Sequence, residues 1–307
     1  MVQKNSIKNK IIIICGATAT GKSDLAIECA KLLDTEIISA DSMYIYKYLN
    51  IGTAKPTVKE MQGVKHHLID VVNPSDTFSV SDYKRLATPI IDDLHSKNKI
   101  PIICGGTGFY INSLLYDLSY GNSCENLEIR EKYKKLAEEK GNKAVFDDLI
   151  KYDPESAKKL HYNDVKRVIR ALEIYFNGTK KSDIKDEFIS KYNYEAYAIE
   201  YPREKLYDRI NIRVDKMINL GLIDEVKRLK EMGINETHQC MQGIGYKEVL
   251  QYTNGAISLE EMSDLIKLNT RHYAKRQITF FKRLNNLTFL QPNDSLVLAK
   301  SIIKGTI

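Results

Sequence analysis

With 307 residues, 43 % of them hydrophobic and 28 % charged, the chain has enough material for one large domain or two ordinary ones, and its composition excludes collagen, coiled-coil and wholesale disorder. The net charge of +6 permits an anionic partner without demanding one. No apolar run approaches the ~18 residues of a membrane span, and the five cysteines (Cys15, Cys29, Cys104, Cys124 and Cys240) lie far apart with no CxxC pair, so neither a disulfide framework nor a zinc ribbon is expected and a reducing cytosol is the economical setting.

In chain order, the first hundred residues alternate short β-rich runs with longer amphipathic stretches, the pattern of a parallel sheet covered by helices. Strands are expected at Lys10–Cys15, Glu36–Ala40, His67–Val72 and Ile100–Cys104, and helices at Gly21–Leu33, from near Val58, at Ser79–Asn98 and at Gly108–Leu118. Ser79 and Ser81 stand where a hydroxyl can cap the third helix. The basic tip Lys4–Lys10 reads as a solvated end, and a turn at 120–123 closes the pattern. From Glu125 to Phe176 the composition shifts to Lys, Glu, Ala and Leu with a 3.6-residue period, which reads as a helical insertion, followed by a polar stretch from Asn177 to Asn193. Tyr194–Tyr201 is one more expected strand, stopped by Pro202, and helices are expected at Arg203–Leu220, Ile223–Met232, Tyr246–Tyr252 and Leu259–Leu284. This organisation divides into a core of 1–120, an insertion of 121–193, and a return to the core with a mainly helical segment of 194–307.

Gly16, Ala17, Thr18, Ala19, Thr20, Gly21, Lys22 and Ser23 match the phosphate-binding pattern G-x-x-x-x-G-K-[ST] at every fixed position, between a hydrophobic strand and a helix. Backbone amides turned inward, a helix N-terminus and Lys22 suit a polyphosphate, and Ser23 can ligate Mg²⁺. The loop leaves open whether phosphate is transferred, hydrolysed or discarded. Asp41 follows the second strand at the carboxyl edge of the sheet, where a carboxylate can act as base, hold a metal or merely cap a turn. A second glycine turn, Gly105 to Tyr110 with Thr107 at its centre, follows the fourth strand and faces the same edge. Ile51 to Pro56 reads as loop punctuation. Arg209 and Arg213, four residues apart, share a helix face that can clamp an anion, and Lys166, Arg167 and Arg170 crowd one stretch of the insertion, with Glu173 accounting for part of that charge.

Wound as a helix, the segment from Leu259 puts Met262, Ile266, Tyr273, Ala274, Phe280, Phe281 and Leu284 on a core face. Lys267, Arg271, Lys275 and Lys282 form a stripe elsewhere, flanked by His272, Arg276 and Arg283, which suits a phosphodiester backbone. Some of the nineteen tyrosines can stack on unpaired bases, and the six histidines show no zinc-ligand spacing.

Together these segments resemble the tRNA dimethylallyltransferase, or tRNA isopentenyltransferase, family. The resemblance rests on GATATGKS at 16–23, SADSMYIYKYLNIGTAKP at 39–56, HHLIDVVNP at 66–74, GGTGFY at 105–110, HYNDVKRVIRALE at 161–173, RVDKMINLGLIDEV at 213–226, GIGYKE at 243–248 and AKRQITFFKRL at 274–284, in the family's order. The departures are Ala17 where proline is common, Tyr44 and Tyr48 where glutamine and a small residue are usual, Tyr162 for a frequent proline and Phe280 for a tryptophan. The resemblance implies a P-loop NTPase-like α/β fold, a parallel sheet flanked by helices, with an all-helical insertion domain and a helical C-terminal part. It implies transfer of a dimethylallyl group from dimethylallyl diphosphate to the exocyclic amine of the adenosine 3′ of the anticodon in tRNAs reading codons that start with U. It further implies diphosphate on residues 16–23, Mg²⁺ at Ser23, Asp41 as base, Thr107 and Arg213 as helpers, and a tRNA anticodon stem-loop held by Asp41, Ser42, Met43, Tyr44, Lys166, Arg167, Arg170, Gly243, Gly245, Lys275 and Arg276. A cytoplasmic enzyme with no membrane and no obligate protein partner is the expectation. The rival readings are a small-molecule kinase using ATP and a non-catalytic, nucleotide-switched RNA-binding protein.

Overall fold

The computed structural model describes residues 9–118, 126–184 and 187–306, so Cys124, the turn at 120–123 and most of the N-terminal tip lie outside the described residues. The described chain falls into two compact units, Met1–Leu115 with Ser190–Ile307, and Tyr116–Ile189.

The first unit is built on a sheet of six strands: β1 (Lys10–Cys15), β2 (Ile37–Ser39), β3 (His66–His67), β4 (Ile102–Gly105), β7 (Asn193–Ile199) and β8 (Leu287–Leu290), where β5 (Tyr116–Asp117) and β6 (Glu187–Ser190) belong to a separate two-stranded pairing. Its order is β3-β2-β4-β1-β7-β8, and every pairing is parallel. Ile11 to Ile14 are all fully buried, as a continuous aliphatic run must be in a parallel strand covered on both faces. The helices of this unit are α1 (Lys22–Leu32), α2 (Val58–Met61), α3 (Val80–Ser96), α4 (Gly108–Leu115), then, after those of the second unit, α9 (Arg203–Asn219), α10 (Leu222–Glu231), α11 (Tyr246–Thr253), α12 (Leu259–Phe281) and α13 (Ser295–Thr306). Ser79 caps α3 reciprocally with Asp82, whereas Ser81 lies inside the helix.

Several sequence expectations are corrected here. The third strand is only two residues long, because Leu68 and Asp70 take positive φ (60° and 56°), which breaks the extended run expected to reach Val72. The helix expected to reach Leu118 ends at Leu115 and yields to β5. The polar stretch after Asn177 holds β6, whose Phe188 packs edge-on against Tyr116 at 5.3 Å. At the C-terminus the expectation stopped at Leu284, yet β8 extends the sheet through the register Ala196↔Leu287 to Ile199↔Leu290. There α13 lays Leu298, Ala299 and Ile302 into the cluster formed by Leu25, Ile27 and Cys29 of α1.

The second unit holds α5 (Leu127–Lys140), α6 (Asn142–Tyr152), α7 (Pro154–Ala157) and α8 (Val165–Phe176) around Tyr133, Val145, Leu149, Val168 and Leu172. Its hub is Glu173, fully buried in α8. The carboxylate accepts from the Asn126 N–H at 2.8 Å, from Arg130 Nε at 3.0 Å and from Arg170 Nη1 at 2.5 Å. Burial pushes its pKa up, but the hydrogen bonds from Arg170, Asn126 and Arg130 outweigh burial and hold it below the ordinary glutamate value of 4.5. A depressed carboxylate pKa means that its contribution to stability is complete above about 4.5 and is lost as pH falls through the lower, folded-state value. Glu173→Gln is therefore expected to cost about 1–3 kcal/mol of unfolding free energy at neutral pH. The difference from the parent should shrink toward pH 3; a gap in denaturation midpoint that stays constant across this range would contradict the assignment.

Candidate active site

The strand order puts β2, β4 and β1 side by side, so the loops leaving their carboxyl ends are neighbours at one sheet edge. The register Cys15↔Gly105 and Ser39↔Cys104 brings the phosphate loop, the Asp41 turn and the second glycine turn to the same level. The three segments singled out in the sequence therefore form one site.

The phosphate loop is shaped by backbone that L side chains rarely adopt: φ is 122° at Gly16, 62° at Ala19 and 89° at Gly21, the residue that starts α1. Thr20 Oγ1 donates to the Ala17 carbonyl at 3.0 Å, and Lys22 Nζ donates to the same carbonyl at 3.3 Å. Burial pulls the Lys22 ammonium below the ordinary lysine pKa and Arg213 adds to this, while nearby Cys104 and Asp41 oppose it. A desolvated ammonium of this kind gains when an anion docks beside it. The Cys104 thiol, pushed up to about 12 chiefly by burial, stays protonated and offers no nucleophile.

Asp41 takes the Met43 N–H on Oδ1 at 2.9 Å, and no hydrogen bond among the described residues engages Oδ2. Thr107 braces this turn: its Oγ1 accepts from the Ser42 N–H at 3.0 Å, and its own N–H donates to the Ala40 carbonyl at 3.0 Å. The close approach is why residue 105 is glycine, since a Cβ there would lie 2.2 Å from the Ala40 carbonyl.

In front of these groups lies a cavity of about 310 Å³. Thr18, Lys22, Asp41, Ser42, Met43, Tyr44, Gly52, Thr53, Arg213, Gly243, Tyr273, Arg276 and Gln277 are among the residues that line it. A smaller recess shares Lys22, Asp41 and Tyr44 with it and is lined further by Ser23, Ser39 and His66. Arg213 Nη2 donates to the Thr53 carbonyl at 3.4 Å, and Tyr44 donates from its hydroxyl to the Ala54 carbonyl at 2.9 Å. Arg209, its helix neighbour, is turned elsewhere: its Nε donates to the Ala19 carbonyl at 2.7 Å while its guanidinium stacks over Tyr201 at 4.8 Å, so it braces the phosphate loop from outside.

The sequence-predicted tRNA contacts divide among four settings. Ser42, Met43, Tyr44, Gly243 and Arg276 line the cavity with Asp41. Gly245 starts α11 at φ 97° and donates to Glu248 Oε2 at 2.7 Å, while Lys275 lines a separate hollow with Tyr201, Arg203 and Tyr207. Lys166, Arg167 and Arg170 belong to the helical unit, where Lys166 and Arg167 are exposed and Arg170 is committed to Glu173. Two members of the expected basic stripe are also engaged, Lys267 with Asp215 at 2.6 Å and Arg271 with Asn211 at 2.9 Å. Tyr273, assigned to the core face from its period, lines the cavity instead; burial and the Asp41 charge push its hydroxyl up to about 12 against hydrogen bonding with Thr107 and Gln277.

Two supporting residues escaped the sequence reading. Glu225, buried in α10, accepts the N–H groups of Asn50, Ile51 and Gly52 at 2.9, 2.8 and 3.0 Å and the Tyr246 hydroxyl at 2.7 Å, fixing the loop that carries Thr53. Gln277, buried in α12, accepts from the Thr18 N–H and donates to the Gly106 carbonyl, both at 2.9 Å. Each is a polar residue in an apolar helical stripe, and that was the available signal. Lys55, read as loop punctuation, is buried with Nζ on the Tyr46 carbonyl and on Asp70, both at 2.6 Å, so it is structural.

Residues 44–284 match the family described as IPP transferase. The chain belongs to this family. Among curated relatives, this IPP transferase is 47 % identical over 290 residues to the tRNA dimethylallyltransferase of Acetivibrio thermocellus, with 93 % of each chain covered, and 47 % identical over 284 residues to that of Alkaliphilus oremlandii, with 92 % and 91 % covered. Among solved structures it is similar to the full-length tRNA isopentenylpyrophosphate transferase of Bacillus halodurans, with 40 % identity, TM-score 0.72 and 97 % of each chain covered. It is also similar to a eukaryotic dimethylallyltransferase acting on tRNA, with 29 % identity, TM-score 0.81, and 97 % of this chain and 80 % of that one covered. As an IPP transferase it has the P-loop-type parallel sheet flanked by helices, and among its described residues no helix is long and apolar enough to cross a membrane.

Proposed function

We propose that this IPP transferase moves a dimethylallyl group from dimethylallyl diphosphate to N6 of the adenosine 3′ of the anticodon in tRNAs that read codons starting with U, in the cytosol. The observation that carries the reading is the cavity itself: a desolvated lysine in an amide-lined loop and a carboxylate with one uncommitted oxygen line the same space, together with Arg213. The diphosphate docks on the amides of residues 16–23 and on Lys22, with Arg213 as a further contact. The allylic C1–O bond breaks, the electron pair leaving with the diphosphate, and the adenine N6 lone pair forms the new C–N bond. The amine then loses one proton. Asp41 Oδ2 accepts a hydrogen bond from N6 and takes this proton, and Thr107 fixes the Asp41 turn. The adenine must leave its stack to enter, at a cost of a few kcal/mol that loop nucleotides minimise.

Mg²⁺ is the expected cofactor, and Ser23, which lines the small recess beside Lys22, is the residue that would hold it through its hydroxyl, since Mg²⁺ takes few protein oxygens when diphosphate and water complete its shell. There it would neutralise charge on the leaving group. The ATP-dependent kinase reading is not favoured, since the relatives named above are tRNA prenyl transferases.

Lys275, Arg276, Lys282 and Arg283 are exposed on or just after α12, and Lys166 and Arg167 on α8. With these groups on phosphates, the logarithm of tRNA affinity should fall linearly with the logarithm of salt concentration, and Lys275→Ala should reduce the slope by about 1. Filter binding across a salt series measures both; an affinity independent of salt would remove the basic stripe from the interface.

A further inference from the structure

We infer that Gln277 is a positioning residue that sets the register between the leaving-group cradle and the acceptor carboxylate, an inference that rests on the function proposed above. Its amide cannot be turned around: Oε1 takes the Thr18 N–H and Nε2 gives to the Gly106 carbonyl, so an exchange of the two atoms would set donor against donor and acceptor against acceptor. From Gly106 the chain of contacts continues without a gap. Thr107, the next residue, donates its N–H to Ala40 and accepts the Ser42 N–H, the two neighbours of Asp41. One buried side chain on α12 thus links the phosphate loop, by way of the second glycine turn, to both flanks of the proposed base. The turn is built around that side chain, because a Cβ on Gly106 would lie 2.1 Å from Gln277 Nε2, and φ at Gly106 is outside the region that strains an L residue.

The amide does more than fill space. Thr18 belongs to the loop that receives diphosphate, and Gln277, by accepting its N–H, fixes the backbone of that loop before any ligand arrives. Such clamps act on geometry: a shift of about 1 Å in a reacting group costs on the order of 10²-fold in rate without comparable loss of binding. A side chain that merely packed would lower thermal stability and leave the rate below the melting range intact.

The test compares the parent with Gln277→Met, which keeps length and packing but not the hydrogen bonds, with Gln277→Ala, with Gly106→Ala and with the double variant Gly106→Ala/Gln277→Ala. Each is assayed for prenyl transfer to an anticodon stem-loop well below its Tm. Gln277→Met should lower kcat by roughly 10- to 100-fold while the KM for either substrate changes by less than about threefold. Gly106→Ala should lower kcat similarly in the parent and by less than about threefold once residue 277 is alanine, because the obstructing atom is gone. Full kcat in Gln277→Met, or multiplicative losses in the double variant, would overturn the inference. If the parent itself transfers no prenyl group, the proposed function fails, and the clamp is read from amide exchange: protection of the Thr18 N–H in the parent and its loss in Gln277→Met support it, equal protection in both overturns it.

Discussion

Asp41→Ala is expected to lower turnover by roughly 10²- to 10⁴-fold, the range for losing a general base, with the KM for dimethylallyl diphosphate nearly unchanged. The asymmetry follows from position. Asp41 lines the cavity, its Oδ1 serves the Met43 N–H and its Oδ2 has no hydrogen-bond partner among the described residues, so one oxygen is given to structure and the other is left for chemistry. Asp41→Asn separates them: the amide oxygen can still accept from Met43, but the other oxygen is replaced by an NH₂ that cannot take a proton from N6. Both variants should be comparably slow, and Asn should keep more of the parent's stability. Near-normal turnover in a folded Asn variant would remove Asp41 from the chemistry and leave it a turn residue.

Lys22→Met should be as damaging, for a different reason. The lysine Nζ has the Ala17 carbonyl as its hydrogen-bond partner, and burial has already lowered its pKa, so its charge is poised for an arriving anion rather than tied in an ion pair. Removing it should cost about 10²- to 10³-fold in kcat, the usual effect of deleting one preorganised stabiliser of developing negative charge. Inhibition by inorganic pyrophosphate should weaken in parallel. Steady-state kinetics with pyrophosphate as competitor separate this from a folding defect. Unchanged inhibition together with lost turnover would place Lys22 outside the cradle.

Much of this site was legible in the sequence because its chemistry is local. A phosphate loop announces itself through fixed glycines and a lysine, and a parallel strand buried on both faces through an unbroken aliphatic run such as Ile11 to Ile14. Asp41 and the turn around Thr107 were visible as punctuation after strands, and the sheet order then made them neighbours. What escaped were contacts between segments far apart in the chain. Gln277 lies 259 residues from Thr18 and 171 from Gly106, and the helical period that placed its stripe in the core could not say that one member would be polar and bridging. Glu225 escaped in the same way, its loop partners standing 173 to 175 residues away. The period also misplaced Tyr273, since a helix face that packs on protein for most of its length can open onto a cavity at one residue. Missing α13 and β8 had a plainer cause: four residues of strand and a helix ending in Gly-Thr carry too little pattern alone and are held by α1 and β7.

The most direct measurement is the mass of an unmodified anticodon stem-loop carrying adenosine 3′ of the anticodon, after incubation with the protein, Mg²⁺ and dimethylallyl diphosphate. The expected product is the RNA heavier by one dimethylallyl group, located by fragmentation at N6 of that adenosine, with one pyrophosphate released per RNA modified. An RNA of unchanged mass, in a sample that binds both substrates, would contradict the pairing of anion cradle and acceptor carboxylate on which the mechanism stands.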